Sequence, residues 1–278
     1  MSKGVLLFAF NNESLDYVKQ AYSLALRISK HLNLPTSIVT DIDIKEKHPT
    51  YVSSFDKIIK LERVVINNKR RYNDGTLHNR VLNFKNASRE NSYDLSPYDE
   101  TIVMDTDFII CNDKLKSVFN QAQDFMCYSN SSHIGMHSNI PEFNCVSDTS
   151  IDFYWATVLF FRKTMLNKTF FNLVKHIREN YMHYRNMYQF KNTMYRNDFA
   201  FSIAIHIMNG FQKGNFATEL PGKNFFALDK DILIDMDEDK LTFLVEKKDR
   251  LGEYTAVNIK GSNCHVMNKF SLERILND

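Results

Sequence analysis

Glycine is scarce in this chain: eight occur among 278 residues, well short of the ~7% of average usage. None of the eight stands in a Gly-x-Gly spacing, and no glycine-rich loop ends in Gly-Lys-Ser or Gly-Lys-Thr. The Rossmann fingerprint and the P-loop are therefore excluded, since both need glycines that let backbone amides approach phosphate. A chain of this kind that handles a nucleoside diphosphate must neutralise it with a cation held on carboxylates, or with lysine and arginine. Cysteine is equally uninformative for metal or redox chemistry. Cys111, Cys127, Cys145 and Cys264 are widely separated and form no Cys-x-x-Cys pair, which removes zinc ribbons and thioredoxin-like motifs and leaves free thiols.

Long apolar runs are missing too. The stretch Phe153 to Phe161, between Asp152 and Arg162, holds nine residues, against the ~20 that a bilayer crossing needs. The N-terminus meets Asn11-Asn12-Glu13 without a small-residue cleavage site, so no secretory signal is expected and the chain reads as cytoplasmic. Lysine and arginine total 35 against 33 acidic residues, a net charge of +2 that neither demands nor forbids a nucleic-acid partner. With 44% hydrophobic and 24% charged residues the composition is that of a folded globular protein, which excludes disorder and fibrous repeats. No linker-like stretch or internal repeat divides the chain, so a single domain over 1–278 is expected. Asparagine, lysine, isoleucine and aromatics are abundant, a bias that an AT-rich viral or bacterial genome would produce.

The apolar run Gly4 to Phe10 predicts a strand buried on both faces of a parallel sheet. From Ser14 to Leu32 apolar residues recur near the 3.6 period, which predicts a helix with Ser14 as its N-cap. Thr36 to Thr40 predicts a second strand ending at Asp41, so the opening reads as a βαβ unit with a right-handed crossover. Residues 42–100 are polar and irregular, with a strand-like patch at Lys57 to Ile59, a basic stretch from Asn67 to Arg71 and a helix expected near His78 to Lys85. Further strands are expected at Thr101 to Met104, Phe125 to Tyr128 and Ala156 to Phe161, and helices over Asn167 to Tyr184 and Asp198 to Met208. The fold class is α/β, with an acidic excursion around Asp229 to Lys240.

The strand at Thr101 to Met104 ends abruptly in Asp105-Thr106-Asp107. On an extended backbone the two aspartates project to the same side, ~6.6 Å apart at Cα, so both can reach one ion. Mn²⁺ and Mg²⁺ favour such an oxygen-rich setting and bridge readily to diphosphate oxygens. In open α/β sheets ligands bind beyond the carboxyl ends of strands, which is where this pair falls. An Asp-x-Asp also simply ends a strand and starts a turn.

The segment Ser96 to Ile110 closely resembles the strand and Asp-x-Asp motif of nucleotide-sugar glycosyltransferases of the GT-A fold. Gly261 to Lys269, with His265 and Lys269, is similar to the late element of that family in which a histidine completes the metal site and a lysine contacts the diphosphate. Arg196 to Ile203 resembles the acidic helix start beside the reacting sugar. The resemblance implies a mixed, mainly parallel sheet flanked by helices, with a nucleotide-binding half over about 1–110, an acceptor half over about 111–260 and a metal and diphosphate element over 261–278. It implies Mn²⁺ or Mg²⁺ on Asp105, Asp107 and His265, and a nucleotide sugar, UDP-sugar first, held by Phe8, Ala9, Asn11, Asp41, Arg80, Asp105, Thr106 and Lys269. Asn197 and Asp198 would act at the reacting sugar, Asp198 as a base if the reaction inverts or as an orienting group if it retains. The His265-to-Lys269 spacing is more compact than in glycogenin-like enzymes, and Asn197-Asp198 stands where many inverting members have Glu-Asp.

Several readings stay open on the sequence. Trp155 belongs to the core or forms a sugar or base platform. His133 and His137 fall in a loop, substrate-facing at best, and lack the glutamate of a zincin helix. Positive charge at Lys69, Arg70, Arg71, Arg80, Lys85 and Arg89, and again at Arg178, Arg185, Lys191 and Arg196 among Tyr181, Tyr184, Tyr188 and Tyr195, is either a solvated face or a track for nucleic acid. On the second reading the acceptor is hydroxymethylated cytosine in DNA, as for bacteriophage base-modifying glycosyltransferases, and the target base would be flipped. A saccharide or lipopolysaccharide acceptor, a non-catalytic nucleotide-sugar module and a nuclease or phosphotransferase are the alternatives.

Overall fold

A computed structural model describes residues 1–62, 68–135, 143–147, 151–190 and 194–277. Its largest sheet has seven strands in the order Thr218–Glu219, Phe125–Tyr128, Trp155–Arg162, Glu100–Met104, Lys3–Phe8, Thr36–Thr40 and Ile58–Lys60. Lys3–Phe8 pairs in parallel with Thr36–Thr40 on one side and Glu100–Met104 on the other. Trp155–Arg162 runs antiparallel to both of its neighbours, so the sheet is mainly parallel with one reversed strand.

The opening βαβ unit forms as its pattern predicts. Lys3–Phe8 is buried from its second residue onward, as a strand covered on both faces must be. Helix Tyr17–Leu32 buries Val18, Ala21, Leu24, Ala25, Ile28 and Leu32 on one stripe, each large aliphatic contributing about 1.5–3 kcal/mol of burial. Its cap is Asp16, whose side chain accepts the Lys19 N–H, rather than Ser14, and Asn33 closes it in the left-handed conformation at φ 52°.

Two elements differ from expectation. His78–Asn83 is a strand, not part of a helix; it pairs antiparallel with Lys69–Asp74 across a turn in which Gly75 takes φ 72°. The expected single helix over Asn167 to Tyr184 is two, Met165–Glu179 and Tyr181–Met187, interrupted at Asn180. The acidic excursion enters a three-stranded antiparallel sheet of Ile232–Met236, Lys240–Glu246 and Tyr254–Lys260.

A four-stranded sheet positions the site. Its order is Phe108–Ile109, Cys264–Val266, Asn224–Ala227 and Ser131–His133. Cys264–Val266 runs antiparallel to Phe108–Ile109, with His265 opposite Phe108, and the Val266 N–H donates to the Asp107 carbonyl at 2.9 Å. The tail of the chain is thereby locked beside the Asp-x-Asp turn. Among the described residues no helix is long and apolar enough to cross a membrane.

Candidate active site

Asp105, Thr106 and Asp107 form the turn that follows Glu100–Met104, and the turn is fixed from both sides. The Asp105 N–H donates to the Thr157 carbonyl at 2.8 Å and the Phe108 N–H to the Asp105 carbonyl at 3.1 Å. Asp107 is 2% exposed and His265 7%, while Asp105 is half-buried. One ligand atom from each of Asp105, Asp107 and His265 lies within 4.8 Å of the others. Two carboxylates and an imidazole at that spacing suit a divalent ion with mixed oxygen and nitrogen ligands.

His265 Nε2 lies 3.3 Å from Asp107 Oδ2, and its Nδ1 lies 3.3 Å from Thr157 Oγ1. With an ion bound, a proton on Nδ1 toward Thr157 would free the Nε2 lone pair for the ion, the arrangement in which a histidine ligates. Lys269, at the start of helix Lys269–Asn277, ion-pairs with the same Asp107 oxygen. Burial alone would raise the Asp107 pKa, but the charges of Lys269 and His265 outweigh it and hold the group well below the usual carboxylate range.

The turn opens onto a cleft lined by arginines from three segments, Arg70, Arg71, Arg89 and Arg196. Arg89, 5% exposed at its side chain, pairs with Asp105. Arg70 donates to the Tyr195 carbonyl at 2.8 Å and stacks on the Phe84 ring at 3.4 Å. Burial lowers the pKa of both Arg70 and Arg89 to about 10. In the same cleft Asp198, in the first turn of helix Asn197–Met208, accepts the Ala156 N–H at 3.0 Å on Oδ1 and Arg196 at 3.0 Å on Oδ2. Burial pushes its pKa up, and Arg196 with the Ala156 amide brings it below the ordinary value on balance. Asn197 lines the cleft and donates to the Asn86 carbonyl at 3.3 Å. Asp229 lines it too and accepts Asn73 Nδ2 at 2.6 Å.

Of the expected nucleotide-holding residues, Phe8, Asp105, Thr106 and Lys269 line this cleft. Ala9, Asn11, Asp41 and Arg80 are not among its lining. Ala9 is fully buried, with its N–H on the Val39 carbonyl. Asn11 holds the start of helix Tyr17–Leu32, donating to Asp16 and accepting the Val18 N–H. Asp41 follows the carboxyl end of the second strand, and Arg80 lies over the Phe270 ring at 5.5 Å. Arg70, Arg89, Tyr17 and Tyr72 were not expected in the lining; the signal for the first two lay in the basic stretches left open between a solvated face and a phosphate track.

Trp155 is both core and wall: 2% exposed, it packs against Phe143, Phe153 and Phe226, and it borders the cleft. His133 is not substrate-facing, because it is buried in the small sheet with Nε2 2.7 Å from Asp231. His137 and Lys191 lie outside the described residues.

No protein-family model and no curated protein matches the chain. Solved structures do. The galactosyltransferase LgtC, determined with donor and acceptor sugar analogs, superposes on 80% of this chain and 75% of its own with a TM-score of 0.50 at 10% identity. The chain has the GT-A glycosyltransferase fold. The glycosyltransferase GlyE of Streptococcus pneumoniae TIGR4 gives a TM-score of 0.44 at 12% identity, covering 79% of this chain; the chain spans 45% of the length of GlyE.

Proposed function

We propose that this protein is a metal-dependent glycosyltransferase that moves a sugar from a nucleoside diphosphate sugar, a UDP-sugar first, to a hydroxyl acceptor. The observation that carries the reading is the meeting of Asp105, Asp107 and His265 within 4.8 Å in the lining of a cleft in a GT-A fold. Asp105, Asp107 and His265 would hold Mn²⁺ or Mg²⁺, and such an ion, when bound, stabilises the negative charge that grows on the departing diphosphate.

The chain's own residues supply the rest. Lys269 and the arginines of the cleft provide cations for a diphosphate in place of the missing glycine-rich amide cradle. Asp198 and Asn197, in the same cleft, orient donor and acceptor hydroxyls. Bond breaking at the anomeric carbon passes its electron pair to the diphosphate oxygen, while an acceptor oxygen forms the new bond and gives up its proton to the departing diphosphate.

Of the two acceptors, hydroxymethylated DNA and a saccharide hydroxyl, we take the saccharide as the first to test. The DNA reading depends on a solvent-facing basic and aromatic track, yet Arg70, Arg89, Arg178 and Arg196 engage Tyr195, Asp105, Glu90 and Asp198 respectively, and Tyr181 is buried. Purified protein is incubated with nucleotide sugars and Mn²⁺, then with a lipopolysaccharide core, hydroxymethylcytosine DNA and unmodified DNA. Donor turnover that chelation and Asp107→Ala both abolish is the expected result. Donor turnover insensitive to both sinks the metal-dependent reading, and transfer to hydroxymethylcytosine DNA alone replaces the saccharide acceptor.

A further inference from the structure

A second cavity shares two segments of chain with the cleft and has no part in the sugar-transfer reading. It holds about 310 Å³, within the ~300–1,000 Å³ of small-molecule sites. Asp152, Tyr154, His206, Asn209, Gln212 and Lys213 belong to its lining. Tyr154 lines this cavity while the next residue, Trp155, borders the cleft, and helix Asn197–Met208 carries Asp198 into the cleft from its first turn and His206 into the cavity from its last. The Ser202 hydroxyl ties the two segments together, donating to the Asp198 carbonyl at 2.7 Å and accepting the Tyr154 N–H at 2.9 Å.

The lining selects a neutral, hydroxyl-rich ligand. Its charged side chains are one aspartate and one lysine, Asp152 and Lys213, which ion-pair at 3.7 Å, so an anion or a cation finds no excess of the opposite sign. Tyr154, Asn209 and Gln212 are uncharged and offer both donors and acceptors, the match for neighbouring hydroxyls. Among the described residues neither the Tyr154 hydroxyl nor the Gln212 amide has a hydrogen-bond partner. Next to Gln212 stands Phe211, 65% exposed, its ring edge-on to that of His206 at 5.7 Å. Phe211 takes φ 64°, an outlier for a bulky side chain and a conformation that costs stability. A ring so exposed recovers little of that cost through burial, whereas its face suits the C–H side of a pyranose. We propose that this cavity is a second saccharide site, which takes a neutral sugar with Phe211 as the stacking platform and Tyr154, Asn209 and Gln212 as hydrogen-bonding groups. The site goes beyond the sugar-transfer reading and needs neither donor nor metal, so the two stand or fall separately.

Lactose, maltose, cellobiose and chitobiose are each titrated against the full chain, with no donor or metal present, by saturation-transfer difference NMR. At least one binds the wild-type protein with about millimolar affinity. Phe211→Gly and Gln212→Ala each weaken that binding about fivefold or more, the scale of one lost contact. Gln212 is exposed, so its substitution leaves the fold intact. Phe211→Gly puts the residue that tolerates left-handed backbone in place of one that does not, so the variant melts no lower than wild type while it loses the sugar. The proposal is overturned if no probe binds wild type, or if either variant binds the sugar as tightly as wild type does. Donor turnover, measured separately, reports on the sugar-transfer reading alone.

Discussion

Asp107 Oδ2 and His265 Nε2 lie 3.3 Å apart although one belongs to the middle of the chain and the other to its tail. The contact is built by backbone pairing. His265 stands opposite Phe108 in the small sheet, and the Val266 amide bonds to the Asp107 carbonyl, so the imidazole is delivered by the strand and does not depend on a loop.

Asp107→Asn keeps the size of the side chain and removes its charge. The variant is expected to lose ~10²-fold or more of donor turnover, the scale of removing one fixed electrostatic contact to a developing charge. Mn²⁺ affinity measured with UDP present should fall with it, while the far-UV circular dichroism spectrum stays that of wild type. Unchanged turnover would remove Asp107 from the reaction.

Asp198 bears on stereochemistry. A general base works best with a pKa near the operating pH and a free oxygen. Asp198 has one oxygen on the Ala156 amide and the other on Arg196, with its pKa below the ordinary carboxylate value. It is a poor base and a good fixed acceptor, which favours retention of anomeric configuration, with the acceptor proton passing to the departing diphosphate on the same face. Proton NMR of the first-formed product should show the donor's anomeric configuration. Inversion would assign Asp198 the role of base.

The βαβ opening and the Asp-x-Asp turn were legible because local pattern decides them: a run of buried residues, a 3.6-residue stripe, and two aspartates where the strand stops. The hairpin of Lys69–Asp74 and His78–Asn83 was not. Most of its second strand is exposed and offers no apolar alternation, and what holds the hairpin is remote: Asn73 on Asp229, Thr76 on Glu246, Asp74 on Arg274. Arg70 and Arg89, left open between a solvated face and a phosphate track, stayed undecided for the same reason. A charged side chain reads as solvated until the fold supplies its carboxylate or aromatic partner.

Glu246 predicts a pH dependence through that hairpin. Burial would raise its pKa, but the Thr76 hydroxyl, the Gly252 amide and Lys230 outweigh burial and bring it to about 2, from an ordinary 4.5. A carboxylate with a depressed folded pKa contributes stability that is complete above its unfolded pKa and is lost as pH falls through the folded one. Thermal melts should therefore show wild type above Glu246→Gln by a constant margin at neutral pH, narrowing below about pH 4.5 and closing near pH 2. A margin that does not change with pH would remove the charge from the explanation.

Gly4 tests the packing under the central strand. A Cβ built there would meet the Tyr98 ring at 2.4 Å, and the ring has little room to yield. Tyr98 is 4% exposed, and its hydroxyl is shared with Ser37 at 2.7 Å and donates to Asp56 at 3.1 Å, so retreat would break both bonds. Gly4→Ala is expected to cost about 1–3 kcal/mol, the range for overfilling a packed core, read from urea denaturation. The cost should shrink when Tyr98→Leu is added, because the smaller side chain removes the clash, and the double-mutant cycle gives that coupling directly. Equal costs in both backgrounds would place the penalty in the strand backbone instead of the ring.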